Sequence, residues 1–308
     1  MTDPAPAIPS LPPRPPQGHK GTFGSVAVIG GQVAPVRMIG GPALCAIAAL
    51  RTGAGLVRLV MPEPILSAGL TIAPSATGWA LTVDRESAVV PHLAAETFDR
   101  ALAGCSCLAV GPGLGVSPGA EALALRAVGQ TDRPVVVDAD ALNALAQTPA
   151  FEQDCRARAV FTPHPGEFTR LAAVLGVRAD PVSPEERPRA AADLARRLGA
   201  VVVLKGAHTV VSDGLRTWID DTADPVLATA GTGDVLTGVI AGLIAQYAPA
   251  HDAPAGLELY DCARLGVRIH ATAAGVWRER HSADTGLLAQ KLTECIPAAL
   301  ALHRGAPD

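Results

Sequence analysis

In the stretch LATAGTGDVLTGVIAGLIAQ (227–246), Gly231, Thr232 and Gly233 stand directly before Asp234, and an apolar run follows at once. Glycines there let the backbone approach a ligand closely. A helix starting near Gly233 would also aim unpaired N–H groups and its positive dipole end at the same spot. Gly231, Thr232 and Gly233 therefore read as an anion hole for a phosphoryl group. Asp234, in the first helical turn, is expected to be stabilised as a carboxylate and to take a proton from an attacking hydroxyl. The plainer alternative is a tight turn with Asp234 as a cap. Against it, the run VLTGVIAGLIA is apolar on all sides, so its N-terminus is an interior site, where an unpartnered helix end is costly.

Other loops carry further candidates. Lys205 ends a buried strand in KGAHTVV (205–211), so its ammonium or the amides of the loop could meet a nucleotide's phosphates; a solvated strand end is the alternative. In TPHPGEF (162–168), two prolines fix the backbone of His164, for which no structural role is evident, and Glu167 falls in the first turn of a helix. Capping and metal or phosphate work are both open to Glu167. Gly111, Gly113 and Gly115 of GPGLG can hug a substrate. In DADALN, Asp138 and Asp140 could orient Mg²⁺ through water or bind a ligand hydroxyl, unless Asp140 simply caps the helix over 141–146. His92, His251, His281 and His303 read as surface residues.

These loops need elements to hold them. SVAVIGG, CLAVGPG, PVVVDAD, AVFTPHP and AVVVLKG are short buried strands running into glycine or acidic loops, with helix-period stretches between them. HTVVSDGLRTWID (208–220) reads as a hairpin turning at Asp213–Gly214, and the tail from about 256 as two helical segments. Repeated strand–helix alternation predicts an α/β fold: a doubly wound, mostly parallel sheet with helices on both faces, in three layers. In such sheets ligands bind beyond the carboxyl ends of the strands, which is where every candidate loop falls.

Composition narrows the function. Aromatics make up 3% of the chain against 49% apolar residues, so the core is aliphatic, as covered parallel strands require. A net charge of −4 with scattered basic residues gives no footprint for nucleic acid. The apolar 235–245 run is too short to span a bilayer, and the proline-rich start has no signal-peptide core, so a cytoplasmic protein is expected. Residues 1–18 read as a flexible arm ahead of one domain, 19–305. The six cysteines are spread thinly, which points to small core residues in a reducing compartment rather than a metal site; Cys105 and Cys107 would share one face of a strand.

The order HKG, GPGLG, DADALN, TPHPGEF, KGAHT, AGTGDVLTG resembles the ADP- or ATP-dependent NAD(P)H-hydrate dehydratases of the ribokinase-like superfamily, from about His19 to the last helix. The resemblance implies repair of hydrated NADH or NADPH, the S epimer. The ring hydroxyl is phosphorylated from ADP, or from ATP in eukaryotic members, with Mg²⁺ present, and phosphate leaves. It implies that Lys205, Gly206, Ala207, His208, Thr209 and Gly233 hold the nucleotide, and that Ala43, Gly113, His164 and Asp234 hold the hydrated dinucleotide, with Gly41 beside them. A homo-oligomer, a tetramer, and a separate NAD(P)H-hydrate epimerase as partner are also implied, the epimerase domain fused in many bacterial relatives being expected to be missing. The chain departs from the family's usual pattern at DPVL (224–227), at HATAAG (270–275), which lacks the family's acid, and in GGQVAPVRMIGG. A small-molecule kinase of the same superfamily, acting on a hydroxymethylpyrimidine, thiazole or pyridoxal, and a nucleotide-binding sensor without catalysis are the rival readings.

Overall fold

Short valine-rich runs closed by glycine, proline or acid become strands, and the alanine-rich stretches between them become helices, in the computed structural model, which describes residues 7–248 and 256–304. The first half of the chain gives β1 (Ser25–Ile29), α1 (Gly40–Thr52), β2 (Leu56–Pro62), α2 (Glu63–Ile72), β3 (Thr77–Leu81), α3 (Pro91–Ala103), β4 (Cys107–Val110), α4 (Pro118–Gly129), β5 (Val135–Val137) and α5 (Asp140–Leu145). The second half gives β6 (Ala159–Phe161), α6 (Pro165–Leu175), α7 (Arg187–Leu198), β7 (Val201–Leu204), β8 (Val210–Ser212), β9 (Thr217–Ile219), α8 (Thr232–Tyr247), α9 (Leu259–His281) and α10 (Ala289–Leu302).

The strands form one nine-stranded sheet in the order β3-β2-β1-β4-β5-β6-β7-β8-β9. From β3 across to β7 neighbours run parallel, and the β8–β9 hairpin closes the edge antiparallel. The winding reverses between β1 and β4, whose ends pair Ile29 with Val110. At that reversal the loops beyond the two strands stay in contact, Gly31 donating its N–H to the Pro112 carbonyl at 3.1 Å, and in such sheets the ligand side lies beyond these strand ends.

Alternate residues face opposite layers: Val26 and Val28 of β1 join the core under α1, α8, α9 and α10, whereas Ala27 and Ile29 join the core under α3 to α7. The result is the three-layer, doubly wound α/β fold expected from the alternation of elements. Helix α8 lies at the centre of its layer, with most of Val235–Ala245 fully enclosed. It packs so closely on α1 that a Cβ at Gly238 would lie 2.2 Å from the Cys45 carbonyl oxygen, so only glycine fits. Among the described residues no helix is long and apolar enough to cross a membrane.

Several local expectations change. β3 and α3 arise from 77–103, which the pattern of runs left unassigned. The described part of the proline-rich start, from residue 7, is largely exposed but is anchored at Leu11 and Arg14. Leu11 is 3% exposed, pairs with Arg304 and donates its N–H to the His303 carbonyl at 3.0 Å. Arg14 stacks on the Phe23 ring and donates to the carbonyl of Gly53 and the side chain of Gln246. Cys105 and Cys107 enter opposite cores, because Cys105 lies before the strand. His251 lies outside the described residues, as do the first six residues of the arm.

Candidate active site

Helix α8 begins at the carboxyl edge of the sheet. Gly231 is its N-cap at φ 91, a left-handed conformation that suits glycine, and the hydroxyl of Thr232 donates back to the carbonyls of Leu227 and Thr229. Among the described residues, the N–H groups of Gly233 and Asp234 have no acceptor, which leaves the first turn open toward a ligand. Asp234 projects from that turn toward α1: a Cβ at Gly41 would lie 3.1 Å from its Oδ1. No hydrogen bond or ion pair reaches its carboxylate from the described residues.

The ionisation of Asp234 corrects the expectation of a stabilised carboxylate. Burial first, then the neighbouring Asp138 carboxylate, push its pKa up from 3.8 to about 7, against the pull of Lys205. A first-turn dipole contributes about 0.3–1 kcal/mol. Lifting a carboxyl over that range corresponds to ~4 kcal/mol, so desolvation outweighs the helix end.

Beneath Asp234 lies a buried charge cluster built from the ends of adjacent strands. Asp138, 1% exposed, follows β5. Its Oδ1 accepts from Lys205 Nζ at 2.6 Å and Thr162 Oγ1 at 2.7 Å, and its Oδ2 from Thr237 Oγ1 at 2.7 Å. Lys205, after β7, also stands 3.7 Å from Glu167 Oε2. Burial pulls the lysine's pKa down, but Asp138 and Glu167 outweigh it and hold the ammonium above its usual range. Glu167 is shifted up, chiefly by burial.

His164 turns out to have a structural role. Its Nδ1 accepts from the backbone N–H of Gly166 and Glu167, while the Glu167 carboxylate accepts from the His164 N–H at 2.8 Å, a reciprocal capping box that starts α6. Burial, with Lys205 and Arg170 nearby, lowers its pKa. Asp140 is likewise not the cap of α5, which Ala139 precedes. Its Oδ2 accepts from the Gly115 N–H at 2.8 Å and so fixes the GPGLG loop.

Beside the cluster opens a cavity of about 470 Å³, lined by Lys205, Gly206, Ala207, Thr209, Thr232 and Gly233, by the apolar Pro225, Leu227, Leu236 and Val267, and by Asp220, Asp224 and His270. Basic and backbone donors thus share the cavity with apolar side chains, as a nucleotide's phosphates and base require, and with two carboxylates. His208 does not line it; its ring turns to the Asp220 carbonyl. Gly231 does not line it either, and shapes the turn from behind. On the other side of Asp234, Gly113 lies against Met38, beside the first residues of α1. Ala43, inside α1, is fully enclosed and has no surface to offer a ligand.

Sequence reasoning passed over Thr162, Thr237 and His270. The first two stand inside quoted motifs, and His270 opens HATAAG. Its Nε2 lies 2.9 Å from the Thr232 carbonyl, which places the ring proton on that nitrogen, and burial lowers its pKa to about 4, so it stays neutral.

A dedicated metal centre does not fit this set: among the described residues no group of three or more His, Cys, Asp or Glu is gathered, and both Asp138 oxygens are engaged. Magnesium fits as the counter-ion of a nucleotide's own phosphates, whose charge it would offset.

A family model described as NAD(P)H-hydrate dehydratase matches residues 26–298. A bifunctional NAD(P)H-hydrate repair enzyme of Moorella thermoacetica is 37% identical over 288 residues, 92% of this chain and 50% of that protein. The chain thus spans about half the length of the bifunctional relatives it matches. An ADP-dependent (S)-NAD(P)H-hydrate dehydratase of Neisseria meningitidis is 34% identical, over 91% of this chain and 85% of that one. Among solved structures, an ADP/ATP-dependent NAD(P)H-hydrate dehydratase from Bacillus subtilis, co-crystallised with ATP/Mg²⁺, aligns with a TM-score of 0.74 and 26% identity, covering 96% of this chain and 95% of that one. The family match covers most of the sheet and every loop of the site, and on that ground the chain belongs to the NAD(P)H-hydrate dehydratase family.

Proposed function

We propose that this chain is a nucleotide-dependent dehydratase that returns the S epimer of hydrated NADH or NADPH to the reduced dinucleotide, with ADP as the phosphoryl donor and residues 19–305 as the working unit. The observation that carries the reading is the placement of Asp234. Its carboxyl projects toward Gly41 of α1 from the open helix turn whose Thr232 and Gly233 line the nucleotide-sized cavity, with a pKa of about 7. A base poised near neutrality is matched to taking a proton from a hydroxyl.

The hydroxyl oxygen forms its bond to the terminal phosphorus as the bond to AMP breaks, and Asp234 takes the hydroxyl proton. Phosphate then leaves with the electrons of the C–O bond while the adjacent ring carbon loses a proton, which restores the ring double bond. The open N–H groups of Gly233 and Asp234 cradle the phosphoryl group in transit and Lys205 offsets its charge. The Neisseria relative's ADP dependence supports ADP as donor. A separate epimerase would supply the S epimer, as the fused relatives suggest, in the cytoplasm, with the chain working as a homotetramer; light scattering of the purified protein checks the assembly.

The test incubates the protein with the S epimer of hydrated NADH, Mg²⁺ and either ADP or ATP, and follows the return of dihydronicotinamide absorbance, with Asp234→Asn alongside. Recovery with ADP that the variant loses is expected. Nucleotide binding without recovery would overturn the reading and favour a kinase or a sensor.

A further inference from the structure

Asp138 and Thr237 are too deeply buried to touch a ligand, at 1% and 0% exposure, yet they connect the two groups that would do the chemistry. Thr237 lies three residues after Asp234 on α8, so the two share one face of the helix. The Thr237 hydroxyl donates to one Asp138 oxygen, and the Lys205 ammonium donates to the other, at 2.7 and 2.6 Å. Thr162 donates to the same oxygen as Lys205 and completes the set. The corner that presents Asp138 holds Ala139 at φ 50 and ψ −122, a positive-φ conformation that a non-glycine residue adopts at a cost. Core packing alone would be served as well by valine at 237 and by an apolar residue at 138, with no charge to bury. What the polar set adds is a fixed distance between a helix and a strand end.

We propose that Thr237 and Asp138 are positioning residues: through one buried carboxylate they index the first turn of α8, and hence Asp234, against the Lys205 ammonium. This rests on the reading of Asp234 as base and Lys205 as the cation on the phosphoryl group. Thr237 holds the carboxylate in the one orientation that serves both sides. Without its hydroxyl the Asp138 oxygen is left buried and unpaired, the carboxylate turns toward other donors, and the lysine follows it.

The chain offers a readout independent of turnover, because its lysines are Lys20, Lys205 and Lys291 alone. Trace acetylation followed by mass spectrometry reports the Lys205 rate against Lys20 and Lys291 as internal references. In the native chain Lys205, paired and largely buried, should react far more slowly than the references. Thr237→Val should raise its relative rate roughly tenfold and lower kcat by a similar factor, with KM for ADP within about twofold, and Thr237→Ser should restore both. Should Thr237→Val fold poorly, Thr237→Ala removes the same hydroxyl and carries the same readouts. A variant with a lower Tm but native lysine reactivity and native kcat would overturn the proposal. Altered lysine reactivity in a protein whose native form shows no dehydratase turnover would leave the positioning role standing and sink the functional reading instead.

Discussion

Asp234→Asn should abolish turnover and yet make the protein more stable at pH 8. In the folded chain the carboxyl ionises at about 7 instead of 3.8, because burial and Asp138 disfavour the charge. Above pH 7 the folded state therefore holds a carboxylate that the unfolded chain would hold more easily, a difference of ~4 kcal/mol at most. A group with a raised acid pKa opposes folding from its unfolded value upward: the cost begins near pH 4, grows through the window between 4 and 7, and is fully present above it. Asparagine removes the cost but forfeits the charge–dipole term of the first helical turn, leaving an expected gain of about 1–3 kcal/mol. At about 2 °C per kcal/mol for a chain of this length, Tm should rise by roughly 2–6 °C at pH 8. Thermal denaturation at pH 8, 6 and 4 is the assay, and the gain should shrink to nearly nothing at pH 4. A variant less stable than the native chain at pH 8, or a gain that ignores pH, would refute the argument that desolvation controls this group.

The same ionisation predicts that kcat rises about tenfold per pH unit below pH 7 and levels off above it; a plateau that persists down to pH 5 would exclude Asp234 as the base. His270→Ala should raise the dissociation constant for ADP by roughly tenfold, since the ring both lines the cavity and holds the Thr232 carbonyl, and that factor over the native chain should be the same at pH 6 and pH 8 because the imidazole is neutral at both. Gly111→Ala should cost more than about 3 kcal/mol in urea unfolding, as a Cβ there would lie 1.8 Å from the Asp138 carbonyl oxygen on a backbone at φ 123.

Much of the site is readable from the chain because each loop sits at the end of a recognisable strand, and strand ends in a parallel sheet meet at one edge. The all-apolar run of α8 marks an interior helix, and glycines before it mark an open end. What escaped was of two kinds. Non-local pairings leave no trace in a window: Asp138 and Lys205 are 67 residues apart, and Thr237 looks like one more residue of a core helix until the fold brings it to the carboxylate. Competing local rules were also resolved by context. The dipole rule favours a charged Asp234, and burial overrides it. His164 lacks the Ser, Thr, Asp or Asn expected of a cap, and the ring nitrogen supplies the acceptor nonetheless. β3 went unseen because TGWAL, on the sheet's edge, is only partly buried and shows neither alternation nor a continuous apolar run.

The clasp between Leu11 and Arg304 bears on how the chain can be cut. It closes at the pole where the parallel strands start, with Arg14 reaching the end of α1 at Gly53 and the last turn of α8 at Gln246, while the first turn of α8 with Asp234 lies at the opposite pole. A shortened chain bounded by the matched residues 26–298 would discard both halves of the clasp, together with the arginine that ties the rear ends of the two helices whose front ends meet at Asp234 and Gly41.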